Sequence, residues 1–281
     1  MKTKNMGPIY VLTAAILWSF AGLLIRYIPW NPLSIGSVRG AVACLVIGLY
    51  RRSWRVTLNR PTIFAALCVM ATSFLFMAAS QLTTAANAIV LQYTAPAYVI
   101  IMTLIKGGQR PRALDLITVT LTIAGITLFF FDRLNPGAFW GNVLALLSGV
   151  TFACVFFITS LPEVDPAEAS FLGLGMSALF LPVLFFDRAV RVSGMAPVAL
   201  MLIMGVFQLG LAYIMFSKGI KKTGPVTASI IATLEPILNP VWVFLAVRER
   251  PGPLAIVGAL VVIGAITGYN LKVSSKNEEI K

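Results

Sequence analysis

Histidine is absent from this 281-residue chain, and aspartate and glutamate together number 10. Without histidine there is no histidine-held metal or haem, no Ser-His-Asp machinery and no imidazole proton relay. No metal, no cofactor and no catalytic residue is therefore expected. Charge is scarce as well: 11% of residues are charged, against about a quarter in a soluble domain. So few charges cannot cover a water-facing surface. Cysteine occurs three times, as Cys44, Cys68 and Cys154, each inside an apolar run. They read as small packing residues rather than a secreted disulfide framework.

What is abundant is apolar: 58% of the residues are hydrophobic and the mean hydropathy is +0.89. A membrane helix needs roughly 20 mostly apolar residues. Ten runs meet that need, at 8–26, 32–50, 61–80, 85–105, 113–131, 138–160, 167–186, 197–217, 225–247 and 253–271. Prolines open many of them, where a missing N–H costs nothing. The runs are too long and too uniformly apolar for barrel strands. The first run follows Lys2 and Lys4 and is longer than a signal-peptide core, so it reads as a retained helix. The fold class expected is an all-α polytopic membrane protein with ten transmembrane helices, embedded in a lipid bilayer.

The net charge is +12. Its lysines and arginines stand singly or in short groups between apolar runs rather than in one stripe, which argues against nucleic-acid binding and matches membrane loops. With ten spans, Arg51, Arg52, Arg55, Arg60, Lys106, Arg110, Arg112, Lys218, Lys221 and Lys222 share one side with both termini. That side is expected to be cytoplasmic. The loop at 161–166 dissents, carrying only Glu163 and Asp165.

The chain also repeats itself. At an offset of 140 residues, Phe76 meets Phe216, Thr83 meets Thr223, Ala88 meets Ala228, Pro96 meets Pro236, and Arg110-Pro111 meets Arg250-Pro251. Residues 7–18 also resemble 141–152. Spans one to five thus recur as spans six to ten. Five is odd, so the second copy enters the membrane from the opposite side, as in secondary transporters with inverted repeats. The expected units are repeat one at 7–131, repeat two at 138–271 and a cytoplasmic tail at 272–281.

Leu17-Trp18-Ser19, Ser37-Val38-Arg39-Gly40, Leu234-Glu235-Pro236 and the run 244–250 ending Arg248-Glu249-Arg250 stand in the order and spacing of a known family. With them, nearly the whole chain resembles the drug/metabolite transporter superfamily, specifically its EamA-type ten-helix exporters. Ala95 and Gln109 depart from the pattern in the first copy. The resemblance implies two EamA repeats around a central cavity, lined mainly by spans one, three, four, six, eight and nine. It implies secondary transport in the cell (inner) membrane by alternating access, with efflux of a small metabolite or drug and no ATPase domain. Amino acids or amines are the favoured substrate class. Uptake, and a non-transporting or scramblase role, stand as alternatives. An intramembrane enzyme is disfavoured, because Asp115 has no intramembrane aspartate partner.

Glu235 is the most informative residue, an acid deep in span nine, where ionised groups are expensive and face a cavity or a partner. Asn239 and Trp242, four and seven residues on, share its helix face. Two readings stand open: a cation or proton-coupling carboxylate, with protons as coupling partner, and a structural acid bonded to a neighbouring helix. Pro96, Pro236 and Pro240 are expected helix kinks. Trp18, Tyr93, Phe152, Phe156 and Tyr213 are candidate aromatic cavity walls suited to amines, and Gln92 and Asn87 are candidate polar contacts. Lys218 is a candidate at the inner mouth. Arg39, in a span the resemblance makes peripheral, is expected to be paired or snorkelling. Gly125 and Gly264 are expected helix-packing points.

Overall fold

The structure, a computed structural model, describes residues 6–25, 27–83, 85–107, 111–129, 131, 138–247 and 252–279. Its regular elements among these residues are helices. In chain order the helices are α1 (Gly7–Trp18), α2 (Ala21–Ile25), α3 (Pro32–Arg51), α4 (Arg60–Leu82), α5 (Ala85–Gln92), α6 (Ala95–Ile105), α7 (Ala113–Phe129) and α8 (Phe139–Thr159). Then come α9 (Pro166–Ser177), which runs on as a 3₁₀ helix over Ala178–Phe185, and α10 (Arg188–Val192). Next is α11 (Met195–Ile203), continued by a π-helical stretch at Met204–Leu211 and by α12 (Ala212–Thr223). The last are α13 (Pro225–Ala232), α14 (Glu235–Val247) and α15 (Pro253–Glu279).

Local chemistry sets the helix starts. Asn31, Asn59 and Asp165 each stand at an N-cap just ahead of a proline in the first turn, and their side-chain oxygens accept from Leu33, Thr62 and Ala167 N–H groups.

Among the described residues, seven helical segments are long and apolar enough to cross a membrane: Gly7–Ile25, Pro32–Arg51, Arg60–Ala79, Asn87–Ile105, Phe139–Thr159, Pro166–Phe185 and Met195–Thr223. The protein is thus an all-α polytopic membrane protein. Ten were expected, and the shortfall has a physical cause. The apolar helices Ala113–Leu128 and Ile256–Tyr269 are shorter. The run at 225–247 is cut into two helices by a turn at Thr233 and Leu234.

The helices pack as a bundle whose two ends are tied by different residues. At one end Lys218 lies over the rings of Tyr10 and Tyr50, Arg51 pairs with Glu168 at 3.0 Å, and Lys106 meets Glu163 at 4.0 Å. Lys221 donates to the Pro162 carbonyl there. The acids around the 161–166 loop therefore sit among cations of neighbouring loops. At the other end Trp30 bonds Ser193, the Asn31 N–H bonds Asp187, and Thr83 and Asn87 bond Asn142.

Close approach between helices depends on glycine. A Cβ on Gly219 would lie 2.8 Å from the Gly7 carbonyl oxygen, and one on Gly125 would lie 2.7 Å from Val262. Gly125 is thus a packing point, where α7 meets α15. Gly264 is not, since nothing stands within 4 Å of its added Cβ.

Candidate functional site

Three apolar runs are broken near the middle of the bundle. Span one stops at Trp18 and resumes at Ala21; the fourth run breaks at Tyr93 and Thr94; the ninth breaks at Thr233 and Leu234. The last two breaks stand 140 residues apart, each just ahead of the second residue of a new helix, Pro96 or Pro236. A proline there has no N–H to give the preceding turn. The backbone of Pro240 is helical within α14, but its side chain lies outside the described residues. Broken membrane helices leave polar backbone that must be buried in protein or line a wet cavity.

Such a cavity is present, with a volume of about 470 Å³. Seven of the eleven residues singled out as site candidates line it: Trp18, Gln92, Tyr93, Phe152, Tyr213, Glu235 and Asn239. Pro236 lines it too. The rings form one continuous wall. Tyr93 meets Phe152 at 6.1 Å between centroids, Phe152 meets Trp18 at 6.2 Å, and Trp18 meets Tyr213 at 5.3 Å. Beneath them Phe156 and Phe216, both fully buried and 5.3 Å apart, close the end that carries Lys218. Phe156 is thus floor rather than wall. Toward the opposite end the lining continues through Ile25, Pro32 and Met77.

Glu235 occupies the first position of α14, where the helix dipole favours a negative charge. Its side chain is half-buried, and Tyr93 lies within electrostatic range of it. Arg39 is also within electrostatic range of it.

Three candidates stand elsewhere. Trp242 is outside the cavity: its indole Nε1 donates to Ser19 Oγ at 2.8 Å and its ring stacks on Phe20 at 4.6 Å. It braces the break in span one. Lys218 lies below the aromatic floor, its Nζ 5.1 Å from the Tyr50 ring and 6.0 Å from the Tyr10 ring. Asn87 belongs to the network with Thr83 and Asn142, not to the cavity.

Arg39 reverses its expectation. Far from being peripheral, span two contributes Pro32, Ile35 and Arg39 to the lining. Arg39 is 7% exposed; its two terminal nitrogens donate to Gln208 Oε1 at 3.3 Å and Ser73 Oγ at 3.2 Å, and its Nε–H has no partner. Gln208, in the π-helical stretch, also reaches the Trp18 carbonyl at the break of span one. The reading of the sequence missed Gln208, Thr72 and Ser73. The signal available was a lone amide or hydroxyl inside an apolar run, which a membrane tolerates only with a partner or a cavity.

Among the described residues no group of three or more acids or cysteines could hold a metal, and no enzymatic constellation is present.

Comparison with known proteins agrees with this architecture. The EamA-like transporter family matches the chain twice, over residues 5–131 and 139–271. An uncharacterized transporter of Archaeoglobus fulgidus is 28% identical over 245 residues, covering 84% of this chain and 86% of that one. An uncharacterized inner membrane transporter of Salmonella typhimurium, YicL, is 22% identical over 258 residues, covering 84% and 86%. A crystal structure of a protein 16% identical superposes with a TM-score of 0.84, over 98% of this chain and all of that one. That likeness speaks to the fold alone. With the family matched across both halves of its length, this chain belongs to the EamA-like transporter family.

Proposed function

We propose that this secondary transporter exports a small metabolite or drug by alternating access between two inverted five-helix repeats, 7–131 and 138–271, in the cell inner membrane. In this reading the shorter helices and the divided run at 225–247 also cross the bilayer, giving ten spans. The double family match and the equivalent helix breaks before Pro96 and Pro236 support it. The lysine- and arginine-rich end, with both termini, is the cytoplasmic one. The cavity then faces outward, sealed from the cytoplasm by Phe156 and Phe216.

The observation that carries the proposal is Glu235, an acid at a helix break beside Tyr93, on a cavity walled by aromatic rings. A carboxylate among ring faces suits a cationic ammonium group. It can also take up a proton when the cation leaves, which couples export to proton entry. The Trp18, Tyr93, Phe152 and Tyr213 rings hold the apolar body of the substrate, and Gln92 and Asn239 orient it.

The test is flux in liposomes under imposed pH gradients for wild type and Glu235→Gln. Gln keeps the shape and removes the titration. The variant should insert normally and lose its dependence on the proton gradient. Identical pH profiles would leave Glu235 as a packing acid.

A further inference from the structure

A buried guanidinium with no carboxylate beside it needs an explanation. Arg39 lines the cavity and is more than nine-tenths buried. Among the described residues, the ion pairs are Arg51–Glu168, Lys106–Glu163 and Arg112–Asp115, and none involves Arg39. Among the described residues its hydrogen bonds go to neutral groups, the Gln208 amide oxygen and the Ser73 hydroxyl, and both are longer than 3.1 Å. Its Nε–H is unpartnered. Guanidinium presents five donors in a rigid fork that matches a carboxylate. Burying such a cation costs heavily unless an anion meets it. Glu235, the acid on the same cavity, lies in electrostatic range but beyond ion-pair distance. Gln208 and Ser73 come from two different helices and hold the terminal nitrogens from either side.

We infer that Arg39 is the anchor for the carboxylate of the substrate, and that the cavity takes a zwitterion whose ammonium group meets Glu235. The apolar body then lies against Trp18, Phe152 and Tyr213. This rests on the transport reading of the cavity and narrows its substrate class. The geometry has a physical merit. The two protein charges are opposite and the ligand's two charges are opposite, so the loaded cavity is neutral as a whole. Each buried charge gains a partner only when both ends of the ligand are present. An amine leaves Arg39 unsatisfied, and a simple acid leaves Glu235 unsatisfied. A site built to pair a polar group rejects analogues that lack it more strongly than apolar pockets reject a missing methylene. The cavity of about 470 Å³ falls within the ~300–1,000 Å³ of ligand sites.

The test uses three matched probes on the purified full-length chain: L-phenylalanine, phenethylamine, which lacks the carboxylate, and 3-phenylpropanoate, which lacks the ammonium. Titration calorimetry of wild type should show L-phenylalanine binding at least tenfold tighter than either truncated probe. Arg39→Gln should reduce L-phenylalanine affinity to that of phenethylamine and leave phenethylamine unchanged. Arg39→Lys should restore part of the difference. The wild-type ranking of the three probes decides the matter even should Arg39→Gln fail to fold. Equal binding of amine and zwitterion would overturn the inference, because Arg39 would then serve only to balance Glu235. So would the absence of binding by all three. Flux in liposomes separates this outcome from the parent reading. L-Phenylalanine flux indifferent to Arg39→Gln would keep the transporter and remove the anchor. Zwitterion binding without flux of any probe would keep the anchor and remove the transport role.

Discussion

The Trp242 indole donates to the Ser19 hydroxyl at 2.8 Å, linking α14 to the break between α1 and α2 while its ring lies flat on Phe20. Ser19 is fully buried, and its own hydroxyl donates back to the Ile16 carbonyl. Trp242→Phe keeps the stack and removes the hydrogen bond, a net loss of about 1 kcal/mol. Trp242→Ala removes both and should cost markedly more. Thermal unfolding in detergent checks the order. If the pair acts as one strap, Ser19→Ala combined with Trp242→Phe will cost little more than either alone.

A second polar cluster joins α7 to α15 at the lysine-rich end. Asp115 accepts from the Arg112 guanidinium at 3.0 Å and from the Tyr269 hydroxyl at 2.7 Å, and Tyr269 also meets Thr227 at 3.1 Å. Tyr269 is 1% exposed. Tyr269→Phe leaves a buried carboxylate oxygen short of a donor, at a cost of about 1–3 kcal/mol. The melting temperature should fall. Because Asp115 and Tyr269 stand in the two segments the family matches separately, the variant should also raise the labelling rate of a cysteine introduced at Thr103, which lines one pocket with both.

Asp187 gives a pH prediction outside the membrane. Burial acts to raise its pKa, but N–H groups of Asn31 and Ala189 bind the carboxylate and hold it below the ordinary carboxylate range. A depressed folded-state pKa means stability that is complete above the unfolded value and lost as pH falls through the folded one. Asp187→Asn should therefore melt lower than wild type at neutral pH. The gap should close in acid, once the wild-type carboxyl is protonated. A constant gap from neutral pH into acid would refute the role.

Gly149 and Gly264 form a matched test of packing. A Cβ on Gly149 would stand 2.9 Å from the Gln92 carbonyl oxygen, at the end of α5, and backbone there cannot step aside cheaply. Gly149→Ala should cost about 1–3 kcal/mol and weaken ligand binding through the displaced Gln92. Gly264→Ala meets nothing within 4 Å and should be tolerated. Melting curves of the two variants compare them directly.

Composition determined that this chain is a membrane protein, because so few charges leave no other place for so many apolar residues, and the length of the apolar runs determined that it is helical. Local order gave the kinks expected at Pro96 and Pro236 and the depth of Glu235, which depend on residues near one another in the chain, and the chain set against itself at 140 residues gave the repeat. Which side chains meet was decided only by tertiary structure. Trp242 shares the face of Glu235, but seven residues advance a helix by about 10.5 Å, which carries it past the cavity to the cover over Ser19 and Phe20. Lys218 stands five residues beyond Tyr213, about 7.5 Å deeper, and so falls below the floor of Phe156 and Phe216. Arg39 turns inward because α3 packs where Ser73 and Gln208 can receive it. A helix that is apolar on every side carries no stripe to announce its rotation, so that facing could come only from the neighbours it meets.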